Sequence, residues 1–408
     1  MRIKLSEQRA GRLDGVDVLR GLSVLLVTLH HIHLRFFLND YPVDHVLPKL
    51  LNRVAFWSGY YAVIIFFVIS GFLITRLSIA RWGQLGQVHI GRFYAMRAAR
   101  ILPCLLVLLL LLSTLHLAGA SEFIIQADRA SLSQALWAAL TFHVNWLEGH
   151  HGYLPGTWDI LWSLSVEETF YLAFPLVCLL LRREWALLVP LGCLLVLGPL
   201  NRAWHIDQDP WGHYAYLSCM DGIAFGCLAA LACARLQISR PVLRACLISG
   251  AVVAILVILG CDEDSTEGIA RYGLNVTVLE AGVALMLVAL GTGVGNHPLS
   301  RGTGWLRLIG RASYEIYLVH MLIVLGLIGV FKQMHLPASV IPLWYAAMLL
   351  LSLALGYGVF RGFSEPVNEW LRGRRATPTA PPPQTPPSAT PPASPGPPAT
   401  DPSTAPPA

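Results

Sequence analysis

Long apolar runs, separated by short connections rich in arginine, glycine and proline, make up most of this chain. Runs of spanning length begin near Val16, Ala55, Ala98, Trp158, Trp185, Tyr216, Val242, Tyr272, Ala312 and Ala338. A helix needs about 20 apolar residues to cross the hydrocarbon core. Only helices and closed barrels satisfy their backbone polar groups there, and continuous apolar runs indicate helices. The pattern predicts an all-α polytopic membrane protein with ten transmembrane helices. A further apolar stretch, 131–146, is short and interrupted by His143 and Asn145.

Charge gives the helices a direction. If the first span runs outward from the cytoplasm, the even connections are cytoplasmic. They carry Arg76, Arg81, Arg92 and Arg97; Arg182 and Arg183; Arg235, Arg240 and Arg244; and Arg301, Arg307 and Arg311. The odd connections hold mixed or acidic sequence, such as Asp207 and Asp209 or the acidic run after Cys261. Arg372, Arg374 and Arg375 also fall inside, so both termini are expected in the cytoplasm. Counting 131–146 as a span would place every later arginine cluster outside. It is therefore expected as a non-spanning helix in a long outer loop, 119–156. The expected location is the bacterial inner (cytoplasmic) membrane, with membrane lipid as the surrounding solvent.

Composition agrees. The chain is 55% hydrophobic and 13% charged, against about 25% charged in soluble proteins. The net charge of +5 resides in clusters between spans, as orientation signals do, and does not point to nucleic acid. The basic N-terminus, 1–15, is followed by no small-residue cleavage site and is read as a cytoplasmic segment before a retained span. The 8 cysteines show no CxxC and no metal-type spacing, so small buried hydrophobes are expected and no metal. Residues 376–408 contain 14 prolines and one charge, Asp401; such a tail is expected to be disordered and partly polyproline II. The membrane domain is placed at 16–375.

A few polar residues within the apolar runs are candidates for chemistry, since ionisable groups in lipid are costly and usually functional. Arg20 and His31 lie 11 positions apart in the first run, close to one helix face and about 16 Å apart. His30 and His33 point to other faces. Ser70-Gly71 is a small pair within FFVISGFLIT, which suits either close helix packing or room for a bound chain. Arg92, Arg97 and Arg100 line the start of the third span; Arg97 and Arg100 share a face, and guanidinium forks suit phosphate. The run WDILWSLSVEETFYLAFP carries adjacent Glu167 and Glu168, with Ser163 one turn before Glu167. Buried carboxylates there need Arg or His partners. Asp221, Glu280, Ser313, Tyr314, Tyr317 and His320 are single polar residues in later spans. His143, His150 and His151 read as loop histidines. Trp146, Tyr153, Trp158, Trp204, Trp211 and Tyr214 suit either sugar stacking or an interfacial aromatic belt.

Taken in order, LDGVDVLRGLSVLLVTLHH, FFVISGFLIT, RFYAMRAARILP, WSLSVEETFYLAFP, ASYEIYLVH and the closing FSEP resemble the acyltransferase type 3 family. The resemblance covers about residues 10–370 and departs in an inserted Val16-Asp17 and in AMRAAR where a paired RR is common. It implies an integral membrane O-acyltransferase acting on cell-surface glycans, Nod-factor-like oligosaccharides or macrolides. The family's Arg-x10-His falls on Arg20 and His31, its Arg-x-x-Arg on Arg97 and Arg100, and its Ser-x-x-x-Glu on Ser163 and Glu167. Acetyl-CoA or another acyl-CoA is the implied donor. Its phosphates would be held by Arg97, Arg100 and Arg20, and its arm would pass Ser70 and Gly71 toward His31. Ser163, Tyr171, Tyr314 and His320 are expected to support the substrates. His31 would act as general base, oriented by Glu167, or as an acyl-carrying nucleophile; the sequence leaves both open. Some members carry a C-terminal SGNH esterase-like domain. With only the proline-rich tail present, direct transfer to a carbohydrate, or hand-over to an unidentified partner protein, is expected. A macrolide is the alternative acceptor. A transporter or a non-catalytic membrane partner is the alternative class, weakened by the lack of an inverted repeat.

Overall fold

The computed structural model describes residues 13–43, 47–261, 266–294 and 302–373. The tail 376–408, most of the segment 1–15, the acidic residues after Cys261, and Arg301, Arg374 and Arg375 among the orientation signals lie outside them.

Among the described residues, ten helical segments are long and apolar enough to cross a membrane. The chain runs through α1 (Asp14–Phe37), a short α2 (Lys49–Phe56), α3 (Gly59–Trp82) and α4 (Ile90–Leu117). Two short helices follow, α5 (Leu132–Leu140) and α6 (Val144–His151), then a turn, α7 (Gly156–Asp159), that leads into α8 (Leu161–Leu181). Next come α9 (Leu188–Trp204), the turn α10 (Trp211–Tyr214), α11 (Tyr216–Arg235), α12 (Arg240–Gly260) and α13 (Leu274–Gly291). The last group is α14 (Gly304–Arg311), α15 (Ser313–Gln333), α16 (Ile341–Val359), a π-helical turn (Phe360–Ser364) and α17 (Glu365–Gly373).

Ion pairs show which helix ends lie together. Arg235 closing α11 meets Glu184 just before α9 at 2.5 Å, and Arg307 of α14 meets Asp14 opening α1 at 2.6 Å. This is the basic end of the bundle. At the far end, Lys332 closing α15 meets Glu122 after α4 at 2.9 Å. The stretch 131–146 is split between α5 and α6, of 9 and 8 residues. At about 1.5 Å per residue neither can span. α5 is opened by a capping box, in which Ser131 Oγ accepts from the Gln134 N–H and the Gln134 side chain accepts from the Ser131 N–H.

The third span starts earlier than its apolar run. α4 begins at Ile90 and continues through Pro103, so Arg92, Arg97 and Arg100 are helical residues. Carboxylates of neighbouring helices pair with Arg97 and Arg100, which lets this polar turn stay inside the bundle.

Burial separates the interior from the lipid face. The apolar windows of α3 and α11 are 67% buried, whereas that of α12 is 22% buried. Ile248, Ile255 and Leu256 of α12 are exposed, which suits a face that lipid covers. α3 and α11 touch backbone to backbone: a side chain at Gly71 would strike the Ile223 carbonyl, and one at Gly226 the Val68 carbonyl. Small residues permit that approach. Gly226→Leu is expected to cost about 1–3 kcal/mol by overpacking, read as a lower thermal midpoint in detergent. Gly192→Leu on α9, where a side chain meets nothing, should leave the midpoint unchanged.

Candidate active site

Two histidines from opposite ends of the chain meet in the bundle. His320 Nδ1 lies 2.7 Å from the Tyr317 carbonyl oxygen. That oxygen only accepts, so Nδ1 carries the proton, and in a neutral ring Nε2 is an acceptor. His320 Nε2 sits 3.1 Å from His31 Nδ1, which is also 3.0 Å from the Val27 carbonyl oxygen. Both neighbours accept, so His31 Nδ1 is the donor. The lone pair of His31 is thereby left on Nε2, which makes no hydrogen bond among the described residues. His31 is half-buried, while His320 is fully buried. The partners thus set tautomer and ring orientation together.

α8 and α15 hold this pair. Tyr317 OH donates to the Ile160 carbonyl at 3.0 Å and lies 2.6 Å from Ser163 Oγ. Ser163 therefore belongs to the imidazole layer, reaching His320 through Tyr317. The other α1 histidines are engaged elsewhere: His30 Nδ1 with the Phe56 carbonyl at 2.8 Å, and His33 Nδ1 with Tyr345 OH at 2.9 Å. His33 is fully buried.

Nearer the basic end lies a layer of paired charges. Glu167 Oε1 accepts from Ser70 Oγ and from Tyr171 OH, both at 2.5 Å, with Arg97 at 3.9 Å. Arg97 donates to Glu168 at 3.0 Å and covers the Tyr171 ring at 3.7 Å. Arg100 forms a fork with both oxygens of Glu315, at 2.6 and 3.2 Å, and donates to Ser364 Oγ at 3.0 Å. Ser364 in turn donates to Glu315. Tyr314 lies under Arg100, 5.1 Å from ring centroid to guanidinium, and donates to the Ile101 carbonyl at 3.0 Å. Arg20 is 3.9 Å from Asp17, which Arg311 also approaches at 3.5 Å.

Several expectations are redistributed by these contacts. Glu167 was expected beside His31, but His320 takes the His31 Nδ1 position, and hydroxyls take the Glu167 oxygen. Ser70 and Gly71 face different ways. Ser70 reaches Glu167, and Gly71 is filled by the α11 backbone, which leaves no room for a bound chain on its side. Arg97 and Arg100, expected to hold phosphate, each carry a carboxylate, Arg97 being the arginine partner that Glu168 needed. Glu315 and Ser364 were not singled out, although both stand inside quoted motifs, ASYEIYLVH and FSEP. A carboxylate opening an apolar helix, in a chain with unpaired arginines, was the available signal.

At the far end, Tyr214 OH donates to Asp159 at 3.1 Å and its ring stacks on Trp162 at 4.1 Å. Glu148 lies beside Asp159. Burial first, and that neighbouring carboxylate second, push the Glu148 carboxyl well above the usual range. Of the aromatic residues named for sugar stacking, Trp158 is fully buried, whereas Trp146, Tyr153 and Trp204 are exposed.

Comparison with known proteins places this geometry in context. A family model described as an acyltransferase domain matches residues 13–361. O-acetyltransferase OatA of Staphylococcus aureus is 22% identical over 380 residues, which take in 88% of this chain and 57% of that protein. A second Staphylococcus aureus protein, provisionally named an O-acetyltransferase, is 30% identical over 169 residues, 40% of this chain and 24% of its own length. The chain thus spans somewhat more than half the length of the OatA proteins it matches. No solved structure gives a significant match.

Proposed function

The chain belongs to the acyltransferase domain family, and on that footing we propose that it is a membrane O-acyltransferase moving an acetyl group from acetyl-CoA, or another acyl from its acyl-CoA, to a hydroxyl of an envelope or exported polysaccharide. The observation that carries this reading is the imidazole pair, which leaves a free lone pair on His31 Nε2. In this mechanism the acceptor O–H gives its proton to His31 Nε2 while its oxygen attacks the thioester carbonyl. The C–S bond then breaks, and the thiolate leaves as CoA–SH with the proton from His31. His320 is a positioning residue, holding the His31 tautomer. Glu167, with Ser70 and Tyr171, and the pairs around Arg97, Arg100 and Arg20 border the passage by which the thioester arm approaches from the basic end. Gly71 closes the wall behind it.

The basic end is assigned to the cytoplasm, where coenzyme A resides, with both chain termini there and the protein in the bacterial inner membrane. Residues 16–375 act as one catalytic unit. The exposed aromatics Trp146, Tyr153 and Trp204 at the far end favour a sugar acceptor, since ring faces stack on aromatic side chains. Purified protein given acetyl-CoA is expected to release CoA thiol only when a glycan acceptor is supplied, with the acceptor gaining one acetyl by mass spectrometry. Thiol release that ignores the acceptor, or no release with any glycan tested, would overturn the reading.

A further inference from the structure

The half-buried arginines nearer the core are largely matched by carboxylates: Arg97 by Glu168 with Glu167 at 3.9 Å, and Arg100 by Glu315, while Arg20 and Arg311 share Asp17. They offer little net positive charge to a polyphosphate. Just outside them, at the basic end, three arginines from three elements stand differently. Arg81 closes α3, Arg92 opens α4, and Arg372 lies in α17. All three are exposed, and none has a carboxylate within ion-pair distance among the described residues. By contrast, Arg361 in the π-helical turn before α17 is paired with Glu365 at 2.8 Å.

Their positions converge. The Arg81 guanidinium rests on Met96 Sδ, and Met96 lies one turn beyond Arg92 on the same face of α4. α17 packs against α4, bringing Arg372 within electrostatic reach of Arg81, Arg97 and Arg100. Arg81 is likewise within reach of Arg92. Three like charges gathered at one mouth repel each other unless an anion joins them. Orientation alone needs positive charge near the helix ends, not convergence of arginines from separate elements.

We propose that Arg81, Arg92 and Arg372 form the phosphate-binding mouth of the donor site, gripping the nucleotide phosphates of acyl-CoA while its thioester arm enters past the paired Arg97 and Arg100. This rests on acyl-CoA being the donor. The same phosphate chemistry is available from anionic lipid headgroups, so the test uses donors with and without phosphate.

In nanodiscs, the triple substitution Arg81→Gln, Arg92→Gln, Arg372→Gln is expected to raise the KM for acetyl-CoA on the order of 10- to 100-fold, as charge-assisted bonds to phosphate are lost. The KM for S-acetylpantetheine, which has the arm without the phosphates, should stay at the wild-type value. The triple Lys variant retains the orientation charge but lacks the guanidinium fork. It should keep wild-type topology and still show a raised KM for acetyl-CoA. Equal effects on both donors, an unchanged KM for acetyl-CoA, or an effect seen only with anionic lipid present would each overturn the proposal; the last would mark a headgroup site instead. Failure of the wild-type protein to release CoA from acetyl-CoA would instead remove the donor assignment itself.

Discussion

His31→Ala is expected to lower acyl transfer by about 10²- to 10⁴-fold, the range that a positioned general base contributes. The loss should fall on kcat, because in the proposed mechanism the imidazole acts on the reacting hydroxyl and holds neither donor phosphate nor glycan. Membrane levels and thermal midpoint should stay near wild type: among the described residues the His31 ring bonds only its own helix carbonyl and His320, so no buried ion loses its counter-charge. His320→Ala should be milder, on the order of tenfold in kcat with KM unchanged, since His31 keeps the Val27 carbonyl as a second anchor for Nδ1. The pH profile separates the two roles. A protonated His31 has no lone pair on Nε2, so wild-type turnover should fall once the pH is low enough to protonate His31. The residual activity of His31→Ala should lack that limb, and that of His320→Ala should retain it. Near-normal turnover in His31→Ala would remove His31 from the chemistry.

The membrane architecture was legible because lipid imposes a length and composition on each span, and the apolar runs carry both. The exclusion of 131–146 as a span followed from arginine placement, and its division into α5 and α6 agrees. The start of α4 was legible from the arginines that lead into the third span, but not from hydropathy. An apolar window opens only at Ala98, whereas the helix begins at Ile90, and the carboxylates that accept from its Arg97 and Arg100 come from α8 and α15. Those pairings join residues far apart in the chain. Arg100 and Glu315 are 215 positions apart, and His31 and His320 are 289 apart. Helix periodicity reports which face a residue occupies but not which helix arrives opposite. Glu167 was matched to His31 by chemical suitability, yet His320 serves as well at that distance, and only the packing of α15 against α1 decides between them. The resemblance singled out Arg97, Arg100 and Glu167 without their partners, so their ion-pair role became visible only with Glu168, Glu315 and Ser364 in place.

Arg100→Ala carries the second large expectation, on stability first. Glu315 is fully buried, and its only charged partner among the described ion pairs is Arg100 at 2.6 Å. Removing the guanidinium leaves a carboxylate without its counter-charge, at a cost of about 3–5 kcal/mol when one member of a buried pair is lost. The variant is expected to unfold at a clearly lower temperature in detergent and to accumulate less in membranes. Glu315→Gln should cost less, because a neutral amide can still accept from Ser364 and Arg100. The double variant Arg100→Met, Glu315→Leu removes both charges and both desolvation penalties, so its midpoint should recover most of the loss. A direct donor contact by Arg100 predicts another pattern: an unchanged midpoint in Arg100→Ala, a raised KM for acetyl-CoA, and no recovery in the double variant. The fork with Glu315 and the hydroxyl of Ser364 occupy three of the five N–H donors of Arg100, which makes the stability pattern the expected one.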